Sequence, residues 1–124
     1  MITDFKFKIQ KRKFNINVKK CESLYSQILG LMFKKKSRPL LFIFKKEKSI
    51  AIHSFFCKTF IAIWFINEKI IDIKIIKSNK FSIKPKQRFN KLLEIPSNSK
   101  EFKKICNFID GQEHLNTKST STIK

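Results

Sequence analysis

The sequence predicts a small α+β domain that is mainly β, built as a twisted, barrel-like sheet with two short helices. Along most of the chain, apolar and polar residues alternate with a period of two, which is typical of half-buried strands. Only two short stretches carry apolar residues at helical spacing. The chain has 124 residues, 42% of them hydrophobic and 14 of them Phe, which suits one domain with a substantial core.

Two amphipathic strands are predicted at the start of the chain. In residues 5–9 and 14–18, Phe, Ile or Val alternate with Lys or Asn, so each segment has one apolar face. The polar residues 10–13 separate the two segments and predict a hairpin. The first helix is predicted from apolar residues at helical spacing: Leu24, Tyr25, Ile28, Leu31 and Met32.

The middle of the chain is its most apolar part. Residues 40–44 follow Pro39 and predict a strand that is buried on both faces, and residues 45–48 predict a turn. Further strands are predicted at residues 50–57, 60–67, 70–76, 81–83 and 92–95. We expect Pro96 to end the last of them.

The second helix is predicted after Pro96. Asn98 and Glu101 have the spacing of a capping box, and the apolar positions that follow are Phe102, Ile105, Cys106 and Ile109. We expect Gly111 to end this helix. Residues 111–124 are rich in Ser, Thr, Lys and Asn, so we expect a disordered tail behind one globular domain of residues 1–110.

The chain is strongly basic, with 28 Lys and Arg against nine Asp and Glu and a formal charge of +19. Such a charge attracts polyanions at low salt. It is either functional or a by-product of biased composition, since the abundant Lys, Ile, Phe and Asn share A/T-rich codons. The densest cationic run predicts polyanion contacts, or alternatively a solvated loop: Lys34, Lys35, Lys36 and Arg38.

Cellular location is predicted from what the sequence offers for export and cross-linking. Residues 1–18 alternate apolar residues with Lys and contain no leader-like apolar stretch, and no apolar run approaches the length of about 20 residues that a spanning helix needs. The three cysteines, Cys21, Cys57 and Cys106, are odd in number and far apart. We therefore expect reduced thiols, no disulfides and a cytoplasmic protein.

Residues that could carry chemistry are few. His53 and Cys57 would lie about 13 Å apart in a strand, which is too far for a catalytic dyad. The Cys and His spacing does not suit zinc, and two glycines do not make a phosphate-binding loop, so no metal or cofactor is expected. Glu94 is acidic within an apolar stretch. It either pairs with a Lys or backbone N–H at a strand end, or it is a pocket carboxylate with His53 as the candidate partner.

The clearest combination of aromatic and cationic residues lies in the first predicted hairpin. Phe5 and Phe7 occur there with Lys6, Lys8, Lys11 and Lys13. Aromatic rings beside cations bind single-stranded nucleic acid by stacking with its bases. The alternation, however, puts Phe and Lys on opposite faces of a strand, so we expect the rings to face the core.

Four segments carry a family resemblance. They are Gly-Leu-Met-Phe-Lys at 30–34, Leu-Phe-Ile-Phe at 41–44, Ile-His-Ser-Phe-Phe at 52–56 and Leu-Glu-Ile-Pro at 93–96. In this order and spacing, over residues 14–105, the chain resembles the domain-of-unknown-function 192 family and its short archaeal-type members. The resemblance implies a compact β-rich fold and no particular activity.

The chain departs from the family pattern at several positions. Ala62 stands where the family usually has Asp, Phe60 where it has Pro, and Cys57 where it has Met. Gln27 and Asn98 replace a basic residue and a Gly. If the family's Asp binds or reacts, this chain cannot do so in the same way.

Three functions remain open on this evidence. The first is a cytoplasmic, non-enzymatic domain of that family with an unknown ligand. The second is a weak, sequence-independent binder of nucleic acid or another polyanion through a Lys-rich surface. The third is an enzyme with a pocket near His53 and Glu94.

Overall fold

The computed structural model describes residues 2–21, 38–49, 51–52, 59–77 and 82–115, with side chains up to residue 109. These residues form a six-stranded sheet and one helix. The elements are β1 (Ile2–Ile9), β2 (Arg12–Cys21), β3 (Leu40–Lys48), β4 (Phe60–Ile66), β5 (Lys69–Ile76), β6 (Phe89–Pro96) and α1 (Lys100–Leu115). The predicted mainly β fold with a barrel-like sheet is confirmed.

The strands follow the spatial order β1-β2-β3-β6-β4-β5. Every neighbouring pair is antiparallel except β2 and β3, which run parallel over three residue pairs. The sheet is curled into a half-barrel, because rings of β1 and β4 touch although three strands lie between them. The Phe5 and Phe65 ring centroids are 5.4 Å apart.

The two sides of the sheet hold separate apolar clusters. We call the side covered by α1 the helix side; its buried residues are Phe7, Ile9, Phe14, Ile16, Val18, Leu41, Ile61, Ile63, Phe65, Leu93 and Ile95, with Ile105 and Ile109 from the helix. On the other, second side, the buried apolar residues are Cys21, Leu40, Phe42, Phe60, Ala62, Trp64, Ile76, Phe89 and Leu92. The central strands are therefore buried on both sides, as their continuous apolar sequences predict.

The first hairpin forms where the alternating pattern predicts it. Gln10 and Lys11 make a two-residue turn, with Gln10 at a positive φ of 56°. Phe7 and Ile9 are buried on the helix side, whereas Lys6 and Lys8 are exposed. The prediction that the rings face the core is thus correct for Phe7, while Phe5 is half-buried.

The structure corrects two predicted boundaries. Residues 45–48, predicted as a turn, extend β3, because the ladder with β6 resumes at the Lys48–Phe89 pair after an irregular stretch. The helix does not end at Gly111 but continues to Leu115, since a glycine inside a helix costs only about 1 kcal/mol relative to alanine.

Several predictions fall outside the described residues. These are the first helix at 24–32 and most of the strand at 50–57, of which Ile52 is described and forms an isolated bridge with Ile83. The described part of the chain contains no disulfide, and Cys21 and Cys106 are thiols. No helix in that part is long and apolar enough to cross a membrane.

Candidate functional site

The outward side of the first hairpin carries a cluster of exposed lysines that we call the hairpin lysine face: Lys6, Lys8, Lys11 and Lys13. Lys8 and Lys13 are direct cross-strand partners, and Lys6 lies opposite Asn15. Like charges at directly opposed positions destabilise a strand pair. The opposed pair Lys8 and Lys13 therefore lowers the stability of the hairpin instead of adding to it.

No described acidic side chain forms an ion pair with the hairpin lysine face. The one acid in residues 2–21, Asp4, lies two residues before Lys6 on the same face of β1 and accepts a hydrogen bond from Asn17 at 3.3 Å. An ion pair that the structure does show joins Lys74 to Asp72 at 4.0 Å, in β5. The hairpin lysines are thus exposed and form no ion pair with a described acid.

A groove of about 760 Å³ lies beside the hairpin lysine face, and we call it the aromatic groove. Its aromatic lining consists of Phe5, Phe7, Phe14 and Phe65. Its cationic lining consists of Lys6, Lys8, Lys13 and Lys91, and Glu68 is the one acid among its lining residues. Lys6, Lys8 and Lys13 are lining residues although their side chains project from the opposite side to the Phe rings, whereas Lys91 is the cross-strand partner of Phe65 and shares its side of the sheet.

Three rings of the hairpin form a stacked column. Phe14 stacks on Phe7 with centroids 5.4 Å apart and planes 17° apart, and Phe7 stacks on Phe5 at 5.7 Å and 27°. Phe65 meets Phe5 and Phe7 edge-on, which is the other favoured aromatic geometry. Phe7 and Phe14 are buried and Phe5 is half-buried, so the column ends on a ring that is partly exposed in the groove.

Two further contacts fix the walls of the groove. At the hairpin turn, the Arg12 guanidinium lies 5.7 Å from the Phe14 ring and 5.5 Å from the Phe108 ring of α1, so cation–π attraction holds the hairpin to the helix. At the β4–β5 turn, the Asn67 N–H donates to Asn90 Oδ1 at 2.8 Å, and Asn90 Nδ2 donates to Asn67 Oδ1 at 3.0 Å. These bonds hold the turn, where Asn67 has a φ of 56°, against β6.

Glu94 lies on the second side of the sheet, away from the aromatic groove. Its cross-strand neighbours are Leu40 and Ala62, and desolvation by burial raises the pKa of its carboxyl from 4.5 to about 8. No described residue donates a hydrogen bond to this carboxyl, so the predicted pairing with a Lys or backbone N–H is not found there. At neutral pH it is therefore mainly a neutral acid.

Ala62 stands at the position where the family that the sequence resembles usually has Asp. Ala62 is the direct cross-strand partner of Glu94, so an Asp at this position would place two carboxyl groups on adjacent strands. In this chain Glu94 faces a methyl group instead. His53, the predicted partner of Glu94, lies outside the described residues, and their convergence stays a prediction.

Asp72 is a buried carboxylate that the sequence did not indicate. It is the cross-strand partner of Trp64, and its Oδ1 accepts a hydrogen bond from the Ile73 N–H at 2.9 Å. Its Oδ2 and the Trp64 Nε1 have no hydrogen-bond partner among the described residues, while Lys74 lies 5.9 Å from the Trp64 ring. A register shift between Trp64 and Phe65 sets this pairing, and the sequence carries no clear signal for it.

The predicted polyanion contacts are only partly described. Lys34, Lys35 and Lys36 lie outside the described residues. Arg38 is exposed and donates a hydrogen bond to Asn17 Oδ1 at 3.2 Å. Asn17 lies four residues from Lys13 along β2, about 13 Å away, so Arg38 stands beyond the opposite end of the hairpin from Lys8 and Lys13.

Comparison with known proteins supports the fold. No protein-family model and no curated protein matches the chain. A proposed transcription regulator from Sinorhizobium meliloti 1021 is similar in structure, with a TM-score of 0.64, 13% identity, and coverage of 73% of this chain and 76% of that one. A protein of unknown function from Novosphingobium aromaticivorans DSM 12444 has a TM-score of 0.68 at 12% identity, with coverage of 78% and 74%.

Proposed function

We propose that this chain is a non-enzymatic binding domain for polyanions, with nucleic acid as the main ligand class and no sequence specificity. The hairpin lysine face is the proposed contact surface. The observation that carries the proposal is the directly opposed pair Lys8 and Lys13 on an exposed surface, where neither lysine forms an ion pair with a described acid. A polyanion bound across this pair would turn a mutual repulsion into two attractive contacts.

The chemistry of the cations supports backbone binding rather than base recognition. A lysine ammonium is a point charge that suits phosphate contacts, whereas specific base contacts favour the arginine fork. The net charge of +19 adds long-range attraction for any polyanion. One structural neighbour is described as a proposed transcription regulator, which is compatible with a nucleic-acid ligand.

Two wider assignments belong to the same proposal. Membership of the domain-of-unknown-function 192 family rests on the four segments given above; the β-rich fold agrees with it, and a family structure with a different strand order would overturn it. The cytoplasm is the proposed compartment, because the cysteines are few, odd in number and scattered.

The proposal is tested by fluorescence polarisation with labelled duplex DNA, single-stranded DNA and RNA. We expect binding at about 50 mM salt that weakens at least about tenfold by about 200 mM salt, because bound phosphates release counterions. Absence of binding to all three ligands in the dilute buffer would overturn the proposed function.

A pair of charge-matched variants tests the surface. The variant Lys6→Gln/Lys8→Gln/Lys13→Gln removes three charges from the hairpin lysine face, and Lys45→Gln/Lys46→Gln/Lys48→Gln removes three exposed charges from the end of β3. We expect the first variant to make the slope of log K against log salt shallower by about 2–3, and the second to leave it nearly unchanged. Equal effects would mean that total charge, and not this face, binds the ligand.

A further inference from the structure

The stacked column of Phe14, Phe7 and Phe5 and three residues of the hairpin lysine face line the same groove. This combination of rings and cations favours one class of polyanion over the others. Phe14, Phe7 and Phe5 stack in that order, and only Phe5, the last ring, is partly exposed. Lys6 and Lys8, the residues on either side of Phe7 in sequence, line the same groove. An aromatic surface and several lysines thus border one groove, with Lys91 on the same side of the sheet as the rings.

We propose that the aromatic groove binds single-stranded nucleic acid, with an unpaired base stacked on Phe5 and the adjoining phosphates on the groove lysines. This inference rests on the proposed polyanion binding and names its substrate class. A base placed on Phe5 extends an existing stack of near-parallel rings, and such stacking is tolerant of sequence. A duplex cannot offer its bases in this way, because they are already paired and stacked.

The dimensions and charge of the groove agree with this occupant. Its volume of about 760 Å³ falls within the range of small-molecule pockets and exceeds what one base requires. Four lysines against the single acid Glu68 give the cavity a strong positive potential.

The groove keeps its shape because both walls are anchored. The edge-on contacts of Phe65 with Phe5 and Phe7 hold the column against β4. The two hydrogen bonds between Asn67 and Asn90 hold the opposite wall to β6. A preorganised surface loses little conformational entropy on binding, so its contacts count more fully towards affinity.

The test compares three ligands of equal length: an oligothymidylate, an abasic strand with the same phosphates, and a duplex. We expect the full-length protein to bind the oligothymidylate about 5- to 100-fold more tightly than the abasic strand, which is the contribution of one stacked base. Equal affinity for the three ligands would overturn the groove proposal and leave the polyanion proposal intact. Loss of all binding would overturn both.

Variants of Phe5 assign the effect to the groove. Phe5→Leu should abolish the preference for the base-bearing strand while binding of the abasic strand stays unchanged. The control Phe102→Leu replaces a half-buried ring of α1 outside the groove lining and should keep the preference. Phe5→Trp retains an aromatic surface, so its preference should persist and its added fluorescence should be quenched by the oligothymidylate. Loss of preference in Phe102→Leu, or retention in Phe5→Leu, contradicts the assignment.

An acidic peptide is the competing occupant, because β1 is an edge strand to which an extended chain could pair. A peptide of alternating Glu and Phe, added as competitor, distinguishes the two. We expect it to displace the oligothymidylate only at concentrations where a poly-glutamate of equal charge does so too. Displacement at a much lower concentration would show that the groove prefers a peptide strand and would overturn the proposal.

Discussion

The second side of the sheet consists of two regions with opposite character. Over β1 and β2 its side chains are exposed lysines and asparagines, such as Lys8 and Asn15. Over β3 to β6 this side holds a buried apolar cluster that includes Trp64 and Leu92, although the end of β3 is exposed. One continuous surface of the same sheet is therefore part solvent-facing and part core.

The difference follows from sequence pattern. Strands β1 and β2 alternate strictly, so only one of their faces can be buried, whereas β4 reads Phe-Ile-Ala-Ile-Trp-Phe-Ile and supplies apolar residues to both faces. The ionisable groups differ accordingly. Lys8 is solvated, but Glu94 is desolvated and holds its proton at neutral pH. A charged ligand can meet the first region directly and cannot meet the second.

The largest expected effect is a loss of stability from a substitution in the buried region. Trp64→Ala removes a completely buried side chain from the middle of β4 and should lower the free energy of unfolding by about 3–5 kcal/mol. Lys6→Ala, in the exposed region, should change it by less than about 0.5 kcal/mol. Urea denaturation measures both values, and similar values for the two variants would contradict the division into a buried and an exposed region.

The second effect is a pH dependence of stability that the buried carboxyl of Glu94 causes. Because the pKa of Glu94 is about 8 in the folded protein and about 4.5 otherwise, the folded state keeps a proton that the unfolded state loses. Stability should therefore fall between about pH 4.5 and pH 8, by at most about 1.4 kcal/mol per pH unit, and this group should cause no further loss above that range.

The variant Glu94→Gln isolates this term, since an amide does not titrate. We expect its unfolding free energy to lack the decline that the parent protein shows across that range. Glu47→Gln, which changes an exposed carboxylate of β3, should leave the decline in place. If the Glu94→Gln and parent curves run parallel, the buried carboxyl does not titrate as described.

The smallest expected effect concerns the exposed region. Lys8→Gln relieves the repulsion with Lys13 and should stabilise the protein by a few tenths of a kcal/mol at low salt, with the gain disappearing as salt screens the charges. The same variant should bind nucleic acid more weakly. Thermal denaturation at two salt concentrations measures the first effect; a destabilised variant at low salt would contradict the opposed-charge description.

Local patterns predicted the strands well, because the alternation or apolar run that predicts a strand lies within that strand. The alternation around Phe7 and the apolar run before Ile66 were enough to locate β1 and β4. The aromatic groove could not be predicted, because it exists only where the curl brings Phe5 to Phe65, two residues that are distant in both sequence and strand order. Asn67 and Lys91 join it for the same reason.

Some predictions failed or were incomplete where tertiary context overrides a local signal. Gly111 has a strong tendency to end a helix, yet α1 continues past it. Asp72 lies within the strand predicted over 70–76, but its burial beside Trp64 depends on the register shift in the β4–β5 ladder, which no local pattern indicates. By contrast, the apolar residues on either side of Glu94 in sequence do indicate its burial, because a continuous apolar run is typical of a strand that is buried on both faces.

The parallel seam between β2 and β3 is short. It joins the hairpin to the rest of the sheet through only three residue pairs, Lys19–Leu40 to Cys21–Phe42, while β1 and β2 share eight. A hairpin that detaches keeps its own ladder and leaves behind a β3 edge bearing Leu40 and Phe42. An unpaired strand edge of this kind is a template for pairing with another chain.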